Sequence, residues 1–243
     1  MKGFVRAVGA ICAAACFSAA APAAVVTVTA KGQVSDIWAI DNSVSVAVPP
    51  TSINLGDAFS LSMRFDTNLA WSDPTFAADP TVAVYVMPGT ARLAVGSYTD
   101  NFSVGWTQVT VGLHDNSLDV PGPKDAQIFE FLRLGAPQAA IPIDMGSGFL
   151  SQGLYFQLFD PSATARDSDL LSDLRPLSSF PNQRFLMTLF NYDTNLFVEF
   201  TATVSESNLS VAPEPASWAM MLGGFGAIGG AMRSRKRVSV RIA

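Results

Sequence analysis

Two glutamates are the residues of this chain best placed to act as acids or bases. Glu130 lies within Phe129–Phe131, and Glu199 lies within Val198–Phe200. Apolar neighbours desolvate a carboxylate and raise its pKa, and glycoside hydrolysis uses such an acid together with a second, facing carboxylate. In an alternating β-strand the same position more often points to solvent. We therefore predict no catalytic residue, and a secreted carboxylate-based hydrolase is the third functional alternative.

Histidine and cysteine offer little further chemistry. His114 is the single histidine, and it could form a triad with Asp115 or Asp119 only through a distant serine. The Gly-x-Ser-x-Gly turn that carries many nucleophilic serines is absent from the sequence. Cys12 and Cys16 both lie near the N-terminus, in a segment that we expect to be removed. A zinc site and a cysteine nucleophile are therefore excluded from the mature chain.

Acidic loop residues offer one weak metal-binding alternative. Asp115, Asn116 and Asp119 present hard oxygen donors in one short stretch. Calcium binds such donors in loops, usually with six to eight oxygens. The stretch lacks the spacing, the glycine and the terminal glutamate of an EF-hand loop. We expect no cofactor, and a structural Ca²⁺ at these residues is the alternative.

Tryptophans could serve as stacking platforms for sugar rings. Trp38, Trp71 and Trp106 are available, and Trp71 is followed by a turn-like Asp73 and Pro74. A tryptophan in a β-domain is more often part of the core, so this signal is weak. A carbohydrate-binding module, with Trp71 as the candidate ligand residue, is the second functional alternative.

Short alternating segments must position these groups. Phe59, Leu61, Met63 and Phe65 share one face of a period-two segment, which is typical of a half-buried strand. Turn-forming residues separate the segments, so we predict an all-β fold, an antiparallel β-sandwich or jelly-roll-like ectodomain over residues 24–211. The predicted strands are 25–30, 43–48, 59–65, 81–87, 90–95, 98–102, 106–113, 128–134, 154–159, 184–191 and 196–205.

One internal similarity links two of these strand ends. Residues 64–69 read Arg-Phe-Asp-Thr-Asn-Leu, and residues 191–196 read Asn-Tyr-Asp-Thr-Asn-Leu. Asp and Asn side chains bond the backbone two residues on, which makes Asp-Thr-Asn a good turn sequence. We therefore interpret the similarity as two similar strand ends, and a duplicated unit is the alternative.

The charge of the predicted ectodomain is strongly negative. Between Ala24 and Ala212 there are 19 acidic and 8 basic residues, a balance of −11, whereas the whole chain carries −5. The remaining basic residues lie at the two ends of the chain. An acidic ectodomain argues against nucleic acid as a partner.

The N-terminal segment has the pattern of a secretory signal peptide. Lys2 and Arg6 precede an apolar stretch over Ala7–Ala20, and small residues follow at Ala21 and Ala23. This order of a basic start, an apolar centre and a small-residue cleavage site predicts a signal peptide over residues 1–23. Signal peptidase is therefore an expected partner.

The C-terminal tail combines a rigid motif, an apolar run and a basic cluster. Pro213, Glu214 and Pro215 favour extended backbone. Residues 216–232 carry no charge, and this is close to the minimum length of a membrane-spanning helix. Trp218 suits the membrane interface, and the basic cluster should remain on the cytoplasmic side as a stop, through Arg233, Arg235, Lys236 and Arg237.

This tail, over residues 212–237, resembles the PEP-CTERM sorting domain of Gram-negative bacteria, also labelled an ice-binding protein C-terminal domain. The resemblance implies recognition by exosortase, an integral-membrane cysteine peptidase, and a link to exopolysaccharide and biofilm production. It further implies export across the inner membrane, transient anchoring, and then a surface or extracellular location. We expect a non-enzymatic surface or matrix protein.

Overall fold

The computed structural model describes residues 25–72, 81–102, 108–115, 125–136, 140–212 and 221–229. The predicted signal peptide and most of the sorting tail lie outside the described residues. Contacts divide the chain into two compact units, Val25–Val211 and the two chain ends taken together, Met1–Ala24 with Ala212–Ala243.

Almost all regular structure in the described residues is β-strand. In the described part of the connections, single turns of 3-10 helix lie at Thr67–Leu69, Leu171–Asp173 and Leu177–Ser179. The eleven strands are β1 (Val25–Asp41), β2 (Val44–Val46), β3 (Ala58–Asp66), β4 (Trp71–Ser72), β5 (Val82–Val95), β6 (Tyr98–Phe102), β7 (Gln108–His114), β8 (Asp125–Leu134), β9 (Leu150–Asp160), β10 (Asn182–Asn191) and β11 (Leu196–Ala212).

The strands form one antiparallel sheet that closes on itself. Eight of them follow one another in the order β1-β3-β5-β7-β8-β9-β10-β11, and β11 pairs with β1 to complete the circle. The short strands β2, β4 and β6 lie off this path and pair with β1 or β5. The predicted all-β, antiparallel fold is confirmed, but the expected two-sheet sandwich is replaced by one closed cylinder.

The seam between β1 and β11 joins the two ends of the sheet. Ser35 Oγ donates to the Thr201 carbonyl at 3.2 Å, and Ser205 Oγ donates to the Lys31 carbonyl at 3.3 Å. From the first contact to the second, the residue number decreases on β1 and increases on β11, so the two strands are antiparallel. Closure leaves no free edge along this part of the sheet, which removes a site for unwanted strand pairing.

The cylinder is filled with side chains. Phe59, Leu61, Met63 and Phe65 are all buried, as the period-two pattern predicts. Aromatic rings from opposite strands meet inside, and Phe59 stacks on Phe185 with ring centroids 4.7 Å apart. Eight strands enclose a space that side chains can fill, and each buried large apolar side chain contributes about 1.5–3 kcal/mol. The interior is therefore a core.

A buried arginine joins the connection after β9 to the first residues of β8. Arg166 is 1% exposed and donates from Nη1 to Gln127 Oε1 at 2.8 Å and from Nη2 to the Ser168 carbonyl at 2.6 Å. Its backbone N–H donates to Asp125 at 3.0 Å. Burial lowers the pKa of Arg166, although nearby carboxylates partly offset this. A buried charge needs such partners, so this cluster stabilises one specific packing of the loop.

The same loop begins with a capped turn. The Asp160 carboxylate accepts hydrogen bonds from the backbone N–H of Ser162 at 2.9 Å and of Thr164 at 2.8 Å. Hydrogen bonds from the Ser162 hydroxyl and from these backbone groups hold the pKa of Asp160 well below its usual range. The ionised carboxylate thereby fixes the exit of β9.

The two similar strand ends make different turns. Asp66 accepts from the Asn68 N–H at 2.9 Å and caps the first 3-10 turn. In the second segment Asn191, and not Asp193, accepts from the backbone N–H groups of Asp193 and Thr194 at 3.0 and 3.3 Å. The shared Asp-Thr-Asn string is thus used differently in the two places, which favours unrelated strand ends.

Residues 221–229 of the tail are helical. Among the residues that the structure describes, we find no helix with the length and hydropathy that membrane crossing requires. The remainder of the predicted span, residues 216–220 and 230–232, lies outside the described residues.

Candidate functional site

A row of polar side chains crosses the outer face of β8, β9 and β10. Glu130 lies opposite Tyr155 in the register of β8 and β9, and Thr188 lies opposite Gly153 in the register of β9 and β10. The Tyr155 hydroxyl donates to the Glu130 carboxylate and accepts from the Thr188 hydroxyl. The ring of Tyr155 covers Gly153, where an added Cβ would lie 2.7 Å from Cε2 of the ring. Gly153 is therefore required for this position of Tyr155.

Burial shifts the pKa of both acids in this row. Desolvation raises the pKa of Glu130, and the hydrogen bond from Tyr155 partly offsets the effect. Desolvation and the charge of Glu130 raise the pKa of Tyr155 to about 12. Glu130 is thus a partly desolvated acid, as its apolar flanks predict, although it faces outwards from the cylinder.

Glu199 and Trp38 form a second polar contact on the same face. Trp38 Nε1 donates to Glu199 Oε1 at 3.1 Å, and the Thr201 hydroxyl donates to the same oxygen at 3.2 Å. Glu199 lies opposite Thr188 in the register of β10 and β11, so it continues the row that begins at Glu130. Oε2 of Glu199 accepts no hydrogen bond from the described residues, which leaves it available to a ligand.

A line of aromatic rings runs beside this polar row. Trp38 packs on Phe197 with centroids 5.4 Å apart, and Phe197 lies opposite Phe190 in the strand register. Phe190 meets Tyr192 edge to face at 4.6 Å, and Tyr192 meets Phe149 at 5.3 Å. We call these five residues, Trp38, Phe197, Phe190, Tyr192 and Phe149, the aromatic stripe.

The stripe becomes more exposed towards one end. Trp38, Phe190 and Phe197 are half-buried, whereas Tyr192 is 49% and Phe149 is 52% exposed. Cross-strand aromatic pairs stabilise a sheet by roughly 0.2–1 kcal/mol each, which accounts for the half-buried members. That contribution does not explain two large rings exposed side by side. Such a surface can stack on an apolar ligand face, with polar groups beside it to fix orientation.

A cleft adjoins the Glu130 end of the polar row on the outer face. Its volume is about 360 Å³, and apolar side chains of β5 and β8 line it together with His114 and Glu130. His114 ends β7 and faces Val82 in the register. Within the described residues no group of three potential metal ligands among His, Cys, Asp and Glu occurs, so His114 is not part of such a cluster.

Of the predicted calcium ligands, only Asp115 lies within the described residues. Asp115 lies near enough to Arg166 for its charge to raise the pKa of that guanidinium. Asn116 and Asp119 lie outside the described residues.

The candidate tryptophans are separated by the fold. Trp71 is 51% exposed on the short strand β4, which pairs with β5, whereas Trp38 lies in the aromatic stripe on β1. Trp106 lies outside the described residues. The aromatic stripe thus contains one of the three tryptophans, Trp38, together with Phe149, Phe190, Tyr192 and Phe197, which no local sequence pattern singled out.

The two candidate catalytic glutamates lie on the same outer face but far apart round the cylinder. β9 and β10 separate β8 from β11, so Glu130 and Glu199 are three strand spacings apart, roughly 14 Å between backbones. The carboxyl groups of glycosidases lie about 5–9.5 Å apart. Tyr155 and Thr188 occupy the intervening surface, which makes a facing pair of acids unfavourable.

The fold and this surface define a closed all-β domain that ends directly before a C-terminal tail. The model of the PEP-CTERM protein-sorting motif matches residues 211–236 of that tail, which confirms the resemblance seen in the sequence. No curated protein and no solved structure matches the chain.

The tail indicates export and exosortase-dependent sorting to the bacterial envelope or surface. Exosortase, a membrane protein, is the partner that this motif implies. The individual residues Pro213, Glu214, Pro215 and Trp218, and the basic residues 233–237, lie outside the described residues.

Proposed function

We propose that this chain is a non-enzymatic protein of the cell surface or extracellular matrix of a Gram-negative bacterium, linked to exopolysaccharide or biofilm. The observation that carries the proposal is the PEP-CTERM motif over residues 211–236. A signal peptide over residues 1–23 would start export, and signal peptidase would remove it.

Each part of the tail has a distinct task in this proposal. Exosortase recognises Pro213, Glu214 and Pro215, the segment 216–232 holds the protein in the membrane, and the basic residues 233–237 stay in the cytoplasm. Trp218 anchors the outer end of the segment at the interface. The anchoring is transient, because cleavage at the motif separates the domain from the membrane.

The fold is compatible with cleavage at this position. β11 ends at Ala212, immediately before Pro213, and every strand of the closed sheet precedes the motif. Cleavage within or after the motif therefore removes none of these strands and none of the core residues that the structure describes. The released domain keeps its seam between β1 and β11.

The experiment is to replace Glu214 with alanine and measure the intact mass of the protein in each cell fraction of the native host. We expect export to continue while the shortened mature form disappears. Glu206→Ala is the matched control, because Glu206 is an exposed glutamate of β11 whose ion pair with Lys31 is solvent-screened. Normal amounts of shortened protein from the Glu214→Ala variant would refute the role of the motif.

The wide separation of Glu130 and Glu199 supports the non-enzymatic assignment. The hydrolase alternative requires a bell-shaped pH dependence of polysaccharide cleavage that is lost in both Glu130→Gln and Glu199→Gln. We expect no cleavage by the wild type. Cleavage that depends on both residues would overturn the assignment.

Carbohydrate binding is a second candidate function, and the aromatic stripe favours it. The exposed rings at one end of the stripe supply a stacking surface, and the Glu199 carboxylate at the other end supplies a hydrogen-bond acceptor for a sugar ligand. A surface protein with this property would hold polysaccharide at the cell.

A further inference from the structure

The single-file arrangement of the aromatic stripe restricts the shape of what can bind there. The five rings follow one another across β1, β11, β10 and the connections that flank β9 and β10, and successive rings are in contact or in direct register. A stable protein interface covers roughly 800 Å² per partner and has a broad apolar centre. A line one ring wide matches an extended polymer better than a second folded protein.

Polar groups lie on one side of this line. Glu199 sits two residues from Phe197 on the same strand face, and Trp38 and Thr201 both donate to its Oε1. These bonds orient the carboxylate and leave Oε2 free to accept from a ligand hydroxyl. The hydrogen bond also fixes the indole of Trp38, so the first ring of the line is held in place before a ligand arrives.

The surrounding charge selects among polymers. Asp36 and Asp41 lie on β1, the strand that carries Trp38, and Asp193 directly follows Tyr192 in the sequence. Asp36 and Asp193 are exposed. Together with Glu199 they give this side of an acidic domain a negative potential, which repels a polyanion. A polymer of neutral sugars has apolar C–H faces for the rings and hydroxyl donors for the carboxylate.

We infer that the aromatic stripe and Glu199 form a binding site for a neutral polysaccharide of pyranose units. The sugar faces stack on Tyr192 and Phe149 at the exposed end, and a sugar hydroxyl donates to Glu199 at the other. This inference rests on carbohydrate binding as the second candidate function, and it adds the site and the class of ligand.

The test compares variants of the exported protein, purified from cells that express the full chain. Phe149→Ala/Tyr192→Ala removes the two exposed rings, and Leu170→Ala is the matched control, since Leu170 is a comparably exposed apolar residue outside the stripe. The probes are soluble neutral glucans and mannans, with alginate as the anionic comparison, and the measurement is the dissociation constant. Thermal unfolding checks that each variant is folded.

We expect the wild type and Leu170→Ala to bind a neutral polymer equally, and the double variant to bind it at least tenfold more weakly, as for the loss of interface hot spots. Glu199→Gln should weaken binding less, because the amide still accepts from Trp38. If the wild type binds and the folded double variant binds equally well, the site is wrong while carbohydrate binding stands.

Three other results would overturn the inference in different ways. No binding by the wild type to any neutral polymer refutes carbohydrate binding itself. Tighter binding to alginate than to the neutral polymers refutes the charge argument. Self-association of the wild type that is lost in the double variant would show that a second copy of this chain occupies the stripe.

Discussion

Gly32 should be indispensable for closing the sheet. A Cβ at this position would overlap the carbonyl oxygen of Thr203 on β11 and would lie 2.7 Å from Cε1 of Phe59 in the core. Neither atom can move away easily, because the oxygen belongs to the backbone of β11 and the carbon belongs to a ring packed in the core. Gly32→Ala therefore forces β1 and β11 apart at the place where the two ends of the sheet meet.

The expected loss follows from the cost of overpacking. Extra atoms in a packed region cost about 1–3 kcal/mol, and a clash with backbone belongs at the upper limit. For a domain of this size each kcal/mol lowers Tm by about 2–4 °C, so we expect a decrease of roughly 6–12 °C. Thermal unfolding of the exported protein, followed by circular dichroism, measures this directly.

Gly112→Ala is the matched control for this prediction. A Cβ there would lie 3.8 Å from Cβ of Ile128, which is an ordinary contact, and it would point into the open cleft on the outer face. Alanine also restricts the unfolded chain, which stabilises by about 0.4–1 kcal/mol where the native backbone allows it. Gly112→Ala should therefore unfold at or slightly above the wild-type temperature. If the Gly32→Ala protein unfolded at the same temperature as the wild type, the close approach of β1 and β11 at Gly32 would be refuted.

Two pH-dependent predictions follow from the shifted carboxylates. Burial raises the pKa of Glu130, so ionising it costs stability above the unfolded-state pKa of about 4.3. The Tm of Glu130→Gln should therefore rise relative to that of the wild type as the pH increases from 4 to 7. A Tm difference that does not change with pH would contradict this. The pKa of Asp160 is lowered, so its contribution is present above about pH 4 and is lost as the pH falls towards the native value. Asp160→Asn should therefore be less stable than the wild type at pH 6 in urea unfolding, and the difference should shrink steadily as the pH falls from 4 towards 2. Parallel pH profiles of the two proteins would argue against the capped turn.

Strand positions were predictable because burial on one side of a sheet imposes a period of two. The pattern at Phe59–Phe65 matches the buried face of β3, and the predicted strands at 81–87 and 90–95 are parts of one strand, β5. The break at Pro88 and Gly89 suggested two strands. Gly89 instead allows close approach to Val109 and to the Arg64 carbonyl, which keeps β5 continuous past β3 and β7.

Only part of the aromatic stripe could be predicted from the sequence. Phe190 and Phe197 flank a short turn between two predicted strands, so a hairpin register would have placed them opposite each other. Trp38 and Phe149 could not be added in this way, since they reach the stripe from β1 and from the connection before β9. Their contacts span long separations along the chain, which a local pattern does not encode.

By itself the sequence determined the destination of this protein and the class of its fold. A sorting tail is recognised through a short, linear order of residues, and strands are revealed by alternation between neighbours, so both are local properties. Only the tertiary structure decided that the sheet closes, because alternation is the same in a sandwich and in a cylinder. Closure depends on β1 meeting β11 across nearly the whole domain, and the same meeting brings Trp38 beside Phe197 and Glu199.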